Sequence, residues 1–263
     1  MTRPRLFTLL LAMAGLLLAA LILLPVLALL LASSPRELLQ LVLRHEVRQA
    51  LWITLLSSLL ALPPIFLIGL PAAYGLSRYT GRFRRFLETL LELPMVMPPI
   101  VAGLALLLAF GRRGLIGGLL AELGLRIPFS LLAVVIAIQF IVTPYFVRRC
   151  TLLFDAVDSK LEDAALLLGA SPFQSFIRVS LPLVRRGLAA EAIMALAQGI
   201  GLFGTIILFA GNLPGRTQTL SLAIYTAFES DPQQAFGLGA LLLSISLLLL
   251  TTVKFISPQE RVR

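Results

Sequence analysis

The feature that most constrains this chain is a series of apolar stretches, each long enough for a helix that crosses a bilayer. Six such stretches lie at residues 7–32, 51–76, 93–110, 129–147, 188–210 and 236–256. A membrane-spanning helix needs about 20 mostly apolar residues. The sequence therefore predicts an all-α polytopic membrane protein with six transmembrane helices, in a single transmembrane domain over residues 1–263.

The composition agrees with this prediction. Hydrophobic residues make up 59% of the chain and charged residues 13%, against about 25% charged residues in soluble domains. A soluble enzyme is excluded, since its surface would need more charge. The first stretch follows Arg3 and Arg5, as a secretory signal would, but its apolar run exceeds the roughly 7–15 residues of a signal peptide. We interpret it as an uncleaved span.

Basic residues are distributed unevenly between the loops. The chain has 22 Lys and Arg against 13 Asp and Glu, a net charge of +9. If both termini are cytoplasmic, the outer loops hold seven basic residues and the inner side the other 15. The outer residues are Arg36, Arg44, Arg48, Arg112, Arg113, Arg126 and Arg216. Because basic residues collect on the cytoplasmic side, we predict a multi-pass protein of a bacterial-type inner membrane with both termini cytoplasmic. No nucleic acid is needed to explain the charge.

The residues that usually build catalytic and metal sites are scarce. Cys150 is the only cysteine and His45 the only histidine, which argues against a disulfide, a metal site or a histidine-based triad. The phosphate-binding pattern Gly-x-x-x-x-Gly-Lys-Ser/Thr does not occur in the sequence. We therefore predict a protein that is not an enzyme and binds no cofactor or metal itself.

The longest inner loop, residues 148–187, contains a regular apolar pattern. Its members Leu161, Ala164, Ala165 and Leu168 follow i, i+3, i+4, i+7 spacing, which predicts a short amphipathic helix. Gly169 is placed to end this helix, and Ser171 followed by Pro172 to begin a second one. Leu181-Pro182 is predicted to break the second helix. The pattern fits a helix pair lying on the membrane, or an element received by another protein's groove.

This loop resembles the EAA loop of ABC-importer permease subunits. The family pattern is Glu-Ala-Ala, three residues, Gly, nine residues and Ile-x-Leu-Pro. The chain keeps Ala164, Ala165, Gly169, Leu181 and Pro182 at the matching positions. It departs from the pattern in Asp163, which stands for Glu with Glu162 one residue earlier, and in Val179, which stands for Ile.

The resemblance implies a type I ABC importer (MetI-like) permease fold, with loop 148–187 as the coupling element of a non-catalytic transport subunit. It also implies partners: an ABC ATPase subunit that holds ATP-Mg, an extracytoplasmic oxyanion-binding protein, a second copy of this chain, and the lipid bilayer. The implied ATPase-coupling residues are Glu162, Asp163, Ala164, Ala165, Gly169, Leu181 and Pro182.

Five further segments resemble the molybdate permease branch, to which sulfate permeases are close. They are residues 69–71, 93–103, 110–114, 212–220 and 224–226. The resemblance implies import of a tetrahedral oxyanion, with molybdate or tungstate first and sulfate or thiosulfate as the alternative. An ATP-independent anion carrier is a less favoured alternative, because it would need a selective site of its own. The chain departs from the branch in Gln198 and Leu202, where an Arg and a Glu are common.

Two prolines, two glycines and two polar residues are the candidate pore and gate residues. These are Pro98, Pro99, Gln198, Gly201, Gly204 and Thr205. Prolines free backbone carbonyls, and glycines permit close helix packing, which is their more ordinary role. No Lys or Arg falls within the six predicted spans, so no anion site is expected inside the membrane. Glu191, near the start of the fifth stretch, is expected to reach the membrane interface near Arg185 and Arg186.

Overall fold

A computed structural model describes residues 3–256, with side chains from Phe7 onward. It contains the helices α1 Arg3–Leu31, α2 Pro35–Leu43, α3 His45–Arg78, α4 Arg82–Val96, α5 Pro99–Phe110, α6 Gly117–Glu122, α7 Leu131–Asp155, α8 Ser159–Leu167, α9 Pro172–Ser175, α10 Leu181–Ile200, α11 Gly204–Phe209, α12 Leu220–Ser230 and α13 Pro232–Ile256. A π-helical turn, Phe176–Ser180, lies between α9 and α10. No strand occurs in this part of the chain, and the predicted all-α fold is confirmed.

The core is built on the long contact between α3 and α7, and α10 packs against both helices. Ile65, Ile138 and Phe146 are fully buried there. Gly69 permits α3 to approach α7 closely, because a Cβ at this position would lie 2.9 Å from a ring carbon of Phe146. The phenyl ring of Phe66 packs on the same ring, with centroids 4.7 Å apart. These contacts fix α3 and α7 side by side.

Four helices are long and apolar enough to cross a membrane: α1 from Phe7, α3, α7 and α13. In α1 the apolar side chains are exposed on every face, including Leu16 and Leu21. Its contact with the rest of the chain is made near Leu29, against Gly239 of α13. A helix that is apolar all round is stable in lipid, so α1 suits a peripheral position in a bilayer.

The third predicted span, residues 93–110, is not one continuous helix. Helix α4 ends at Val96, α5 begins at Pro99, and the two axes meet at 111°. Pro98 takes an extended conformation between them, with φ −54° and ψ 135°. Because prolines cannot donate backbone hydrogen bonds, the helix is easily interrupted here. The pair is either one broken span or a re-entrant segment.

The fifth predicted span, residues 188–210, is also interrupted. Helix α10 ends at Ile200 and α11 begins only at Gly204. Phe203 turns the chain between them, with φ −126° and ψ −66°. Helix α10 starts seven residues before the predicted span, at Leu181, and so includes Arg185 and Arg186. It is therefore not among the four uniformly apolar helices.

The predicted break at Leu181-Pro182 is absent. The chain passes from α9 through the π-helical turn directly into α10, and the Leu181 amide donates to the Phe176 carbonyl. Pro182 lies in the first turn of α10. A proline is tolerated in the first turn of a helix, where its missing N–H costs nothing. The π-helical turn thus carries the inner loop into the membrane domain without a flexible joint.

Candidate functional site

The first short helix of the inner loop, α8, ends as the sequence predicts. Gly169 has φ +89°, in the left-handed region. The Ala170 amide donates to the Ala165 carbonyl at 3.0 Å and the Gly169 amide to the Leu166 carbonyl at 3.0 Å. This pair of hydrogen bonds is a Schellman motif, which satisfies carbonyls at the helix end. Gly169 thereby directs the chain back toward α9.

Replacing Gly169 tests this turn. We expect Gly169→Ala to destabilise it by about 1 kcal/mol, because an L-residue is strained at positive φ. Gly169→Asn should cost less, since Asn tolerates the left-handed conformation. Hydrogen exchange of the residue 159–175 amides in the purified protein would measure the difference. Equal protection in Ala and wild-type proteins would contradict the role given to the turn.

The second short helix also begins as predicted. The Gln174 amide donates to Ser171 Oγ at 3.3 Å and the Ser171 amide to Gln174 Oε1 at 2.9 Å, forming a capping box. Pro172 occupies the first turn. Ser175 Oγ donates to the Glu162 carbonyl at 3.5 Å and so joins α9 to α8. The two helices form one small unit.

The apolar side chains of this unit face outward. Leu167 and Leu168 are 89% and 90% exposed, and Ala164 and Phe173 are exposed as well. We call these four residues the docking surface. Apolar groups this exposed within one chain mark a surface that another protein or a membrane covers. Of the other residues assigned to coupling, Asp163 and Gly169 are exposed beside this surface and Ala165 is half-buried. Leu181 and Pro182 lie apart from it, at the start of α10.

Glu162 points the opposite way and is buried at 7% exposure. Arg78 holds it with two hydrogen bonds, Nε to Oε2 at 2.9 Å and Nη2 to Oε1 at 2.6 Å. Tyr74 donates to Oε2 at 3.1 Å, and Ser180 Oγ donates to Oε1. We call Glu162, Arg78, Tyr74 and Ser180 the anchor. It fastens α8 to the C-terminal end of α3 and to the π-helical turn.

The anchor determines the charge state of Glu162. Burial opposes ionisation, but hydrogen bonds from Arg78, Ser180 and Tyr74 together outweigh it, so the pKa of Glu162 lies below its usual range. The carboxylate is therefore ionised at neutral pH. Aromatic rings enclose the anchor, with the Tyr74 and Phe176 centroids 4.6 Å apart. A buried and paired charge of this kind holds α8 and α3 in a fixed relative position.

Three of the candidate gate residues meet between α5 and α11. Thr205 Oγ1 donates to the Pro99 carbonyl at 3.0 Å. A Cβ on Gly204 would lie 2.8 Å from Pro99 Cβ. Gly204 and Thr205 are buried, whereas Pro98 and Pro99 are exposed. In this conformation the glycine and the threonine are packed against α5 and do not line an open space.

Gly201 and Gln198 lie elsewhere. Gly201 is exposed and ends α10. Gln198 Oε1 accepts a hydrogen bond from Arg149 Nη2 at 2.9 Å. Arg149 belongs to α7, which is long and apolar enough to cross a membrane. Helix α7 continues past the predicted end of the span at Val147 to Asp155 and so includes Arg149, which the sequence placed in the following loop.

Glu191 faces Arg149, with Oε2 3.0 Å from Arg149 Nε. Its side chain is 17% exposed, so the expectation that it extends outward near Arg185 and Arg186 is wrong. The reason is electrostatic, because the positive charge of Arg149 stabilises the Glu191 carboxylate more than partly apolar surroundings would. The sequence reasoning missed this pair because Arg149 was assigned to a loop.

Comparisons with known proteins agree with these features. Residues 65–261 match the family described as binding-protein-dependent transport system inner membrane component. The molybdenum transport system permease protein ModB of Mycobacterium tuberculosis is 41% identical over 192 residues, covering 73% of this chain and 73% of that protein. The sulfate transport system permease protein CysW of Escherichia coli is 36% identical over 179 residues, covering 68% of this chain and 62% of that protein.

Among solved structures, a chain of a bacterial alginate ABC transporter, crystallised in complex with an alginate pentasaccharide-bound periplasmic protein, has the same fold. The TM-score is 0.75 at 16% identity, covering 97% of this chain and 96% of that one. At this identity the likeness concerns the fold alone. It agrees with the helical arrangement described above.

Proposed function

Because this chain belongs to the family of inner membrane components of binding-protein-dependent transport systems, we propose that it imports a tetrahedral oxyanion, with molybdate or tungstate as its substrate. It is a multi-pass inner membrane permease subunit of an ABC importer. The observation that carries the choice of substrate is the similarity to a molybdenum permease, which is more identical and covers more of both chains than the sulfate permease does. Sulfate is therefore the second candidate.

The docking surface is proposed to bind the ATPase subunit. Its exposed leucines and phenylalanine have the chemistry that a groove in a partner protein receives, and the family pattern places the coupling element here. ATP-Mg would be bound and hydrolysed on that partner. Both termini would then lie in the cytoplasm, two copies of the chain would enclose the pathway, and the extracytoplasmic binding protein would deliver the anion.

The anchor gives this proposal a mechanism. When the ATPase subunits close on ATP, they displace the docking surface, and α8 moves with it. Glu162 transmits the displacement to α3 through Arg78, and Ser180 transmits it to α10 through the π-helical turn. Because charged hydrogen bonds join these parts, the membrane helices tilt with the inner unit, and access changes from one side of the membrane to the other.

A transport assay tests the substrate. The complete transporter, with ATPase and binding protein, is reconstituted in liposomes and given molybdate, tungstate or sulfate. We expect ATP-dependent uptake of molybdate and tungstate, and calorimetry of the binding protein should show the same preference. Uptake of sulfate alone would overturn the choice of oxyanion. Uptake by this chain without the ATPase would support an anion carrier instead.

A single substitution tests the docking surface. We expect Leu168→Glu to weaken retention of the ATPase at least tenfold in co-purification, because an apolar side chain buried at the centre of an interface contributes about 2 kcal/mol or more to binding. Leu115→Glu is the matched control, since Leu115 is equally exposed, at 88%, but lies between α5 and α6. The same retention in both variants would contradict the assignment.

A further inference from the structure

A polar cluster lies between α7 and α10, apart from both the docking surface and the anchor. Its members are Arg149, Glu191 and Gln198. The Arg149 guanidinium is 3.0 Å from Glu191 Oε2 and donates to Gln198 Oε1 at 2.9 Å. Arg149 Nε also donates to the Tyr145 carbonyl at 3.3 Å. The neighbouring Cys150 is fully buried and turned into the core.

The position of the cluster along α7 is informative. Arg149 lies six residues before Asp155, the end of the helix, or about 9 Å along the axis. A charged residue in a helix that could cross a membrane is costly and is usually paired, and such residues often mark a substrate or ion pathway. The Arg149 side chain is 27% exposed, so it is partly accessible and partly held by protein.

The cluster has hydrogen-bonding capacity left over. Guanidinium carries five N–H donors, and among residues 3–256 no acceptor is found for Arg149 Nη1 or for the Gln198 amide nitrogen. Glu191 Oε2 is buried and accepts no hydrogen bond from any described residue. Its contact with Arg149 is thus a Coulombic pairing without hydrogen-bond geometry. A purely structural ion pair in a low-dielectric site is stable only with well-formed hydrogen bonds.

We propose that Arg149 and Gln198 form an oxyanion contact on the inner part of the translocation pathway. Glu191 is the counter-ion that balances Arg149 while no substrate is present. A passing oxyanion accepts hydrogen bonds from the guanidinium and the Gln198 amide and replaces the carboxylate. Because the carboxylate is only loosely held, this exchange leaves the anion weakly bound and able to leave. The inference rests on the proposed import of an oxyanion and assigns that substrate a contact in this chain.

Adjacent arginines provide a matched experiment. In the reconstituted transporter, Arg149→Gln should lower the rate of molybdate uptake about tenfold, the size expected for losing one charge-assisted hydrogen bond. Arg148→Gln is the control, because Arg148 is exposed and pairs with Glu92 of α4; its uptake should match wild type. ATP hydrolysis stimulated by the loaded binding protein should continue in Arg149→Gln, so that fewer anions cross per ATP hydrolysed.

Two more variants separate an anion contact from a structural ion pair. Arg149→Lys keeps the positive charge and should restore most of the uptake. Glu191→Gln removes the competing carboxylate and should raise uptake above wild type. If Arg149→Gln and Glu191→Gln lower uptake and melting temperature equally, the pair is structural and the inference fails. Wild-type transporter that imports no oxyanion would instead refute the proposed function.

Discussion

Replacing Glu162 by Gln is expected to loosen α8 from α3 and from the π-helical turn. The substitution leaves the Arg78 guanidinium without its charged partner, at a site where the two side chains are 21% and 10% exposed. Breaking a largely buried pair costs about 2–3 kcal/mol after allowance for this exposure. We expect a lower melting temperature of the purified protein, and substrate-stimulated ATP hydrolysis that no longer drives uptake. The ATPase should still co-purify, because the docking surface is unchanged.

Asp163→Asn is the matched control for this prediction. It removes a carboxylate from the next residue, which is exposed and makes none of the anchor's hydrogen bonds. We expect its melting temperature to equal that of the wild type. If Glu162→Gln melted at the wild-type temperature, the anchor would not hold the coupling element.

The acid dependence of stability gives a second measurement on the same pair. The pKa of Glu162 is lowered in the folded protein, so its contribution to stability is present above the pKa of the unfolded chain, about 4.3. It is lost as the pH falls through the lower, folded-state pKa. The gap in melting temperature between wild type and Glu162→Gln should therefore be constant from pH 7 to about 5 and narrow in stronger acid.

The caps of the inner loop were predictable because they depend on local rules. Gly169 and the Ser171-Pro172 pair determine backbone conformation through their own chemistry and that of residues within one turn. The anchor was not predictable in the same way. Its donor Arg78 lies 84 residues from Glu162, and only the fold brings the two together. The family pattern directed attention to Asp163, whereas Glu162 is the buried acid.

The predicted spans likewise include features that composition determines and features that depend on contacts between helices. Apolar length located α1, α3, α7 and α13 well, because burial in lipid depends on composition. It did not reveal the interruption at Gly201. For the third span it left open whether Pro98 kinks one helix or separates two, since a proline that kinks a span and one that starts a new helix look alike in sequence. The end of α7 was also missed. Arg148 and Arg149 ended the apolar stretch, but the charge of Arg149 is balanced by Glu191, which lies on another helix.

Gly103→Ala is expected to disrupt the contact between α5 and α11. A Cβ on Gly103 would lie 2.7 Å from the Thr205 carbonyl oxygen and 3.0 Å from Leu208 Cβ. The oxygen belongs to the backbone and cannot rotate away, so the helices must separate. Overpacking of this kind costs about 1–3 kcal/mol. The hydrogen bond from Thr205 to Pro99 should weaken as well, and we expect a lower melting temperature together with slower uptake.

Gly118→Ala is the control that separates this clash from the effect of alanine in a helix. Gly118 lies in α6, and a Cβ there would meet no atom within 4 Å. Alanine should stabilise that helix by up to about 1 kcal/mol, because glycine is a poor helix former. The same gain in both variants, measured as melting temperature in detergent, would show that α5 and α11 do not pack as closely as described. Opposite signs in the two variants, with reduced uptake only for Gly103→Ala, would establish that the interrupted helices of the third and fifth stretches depend on each other for their position.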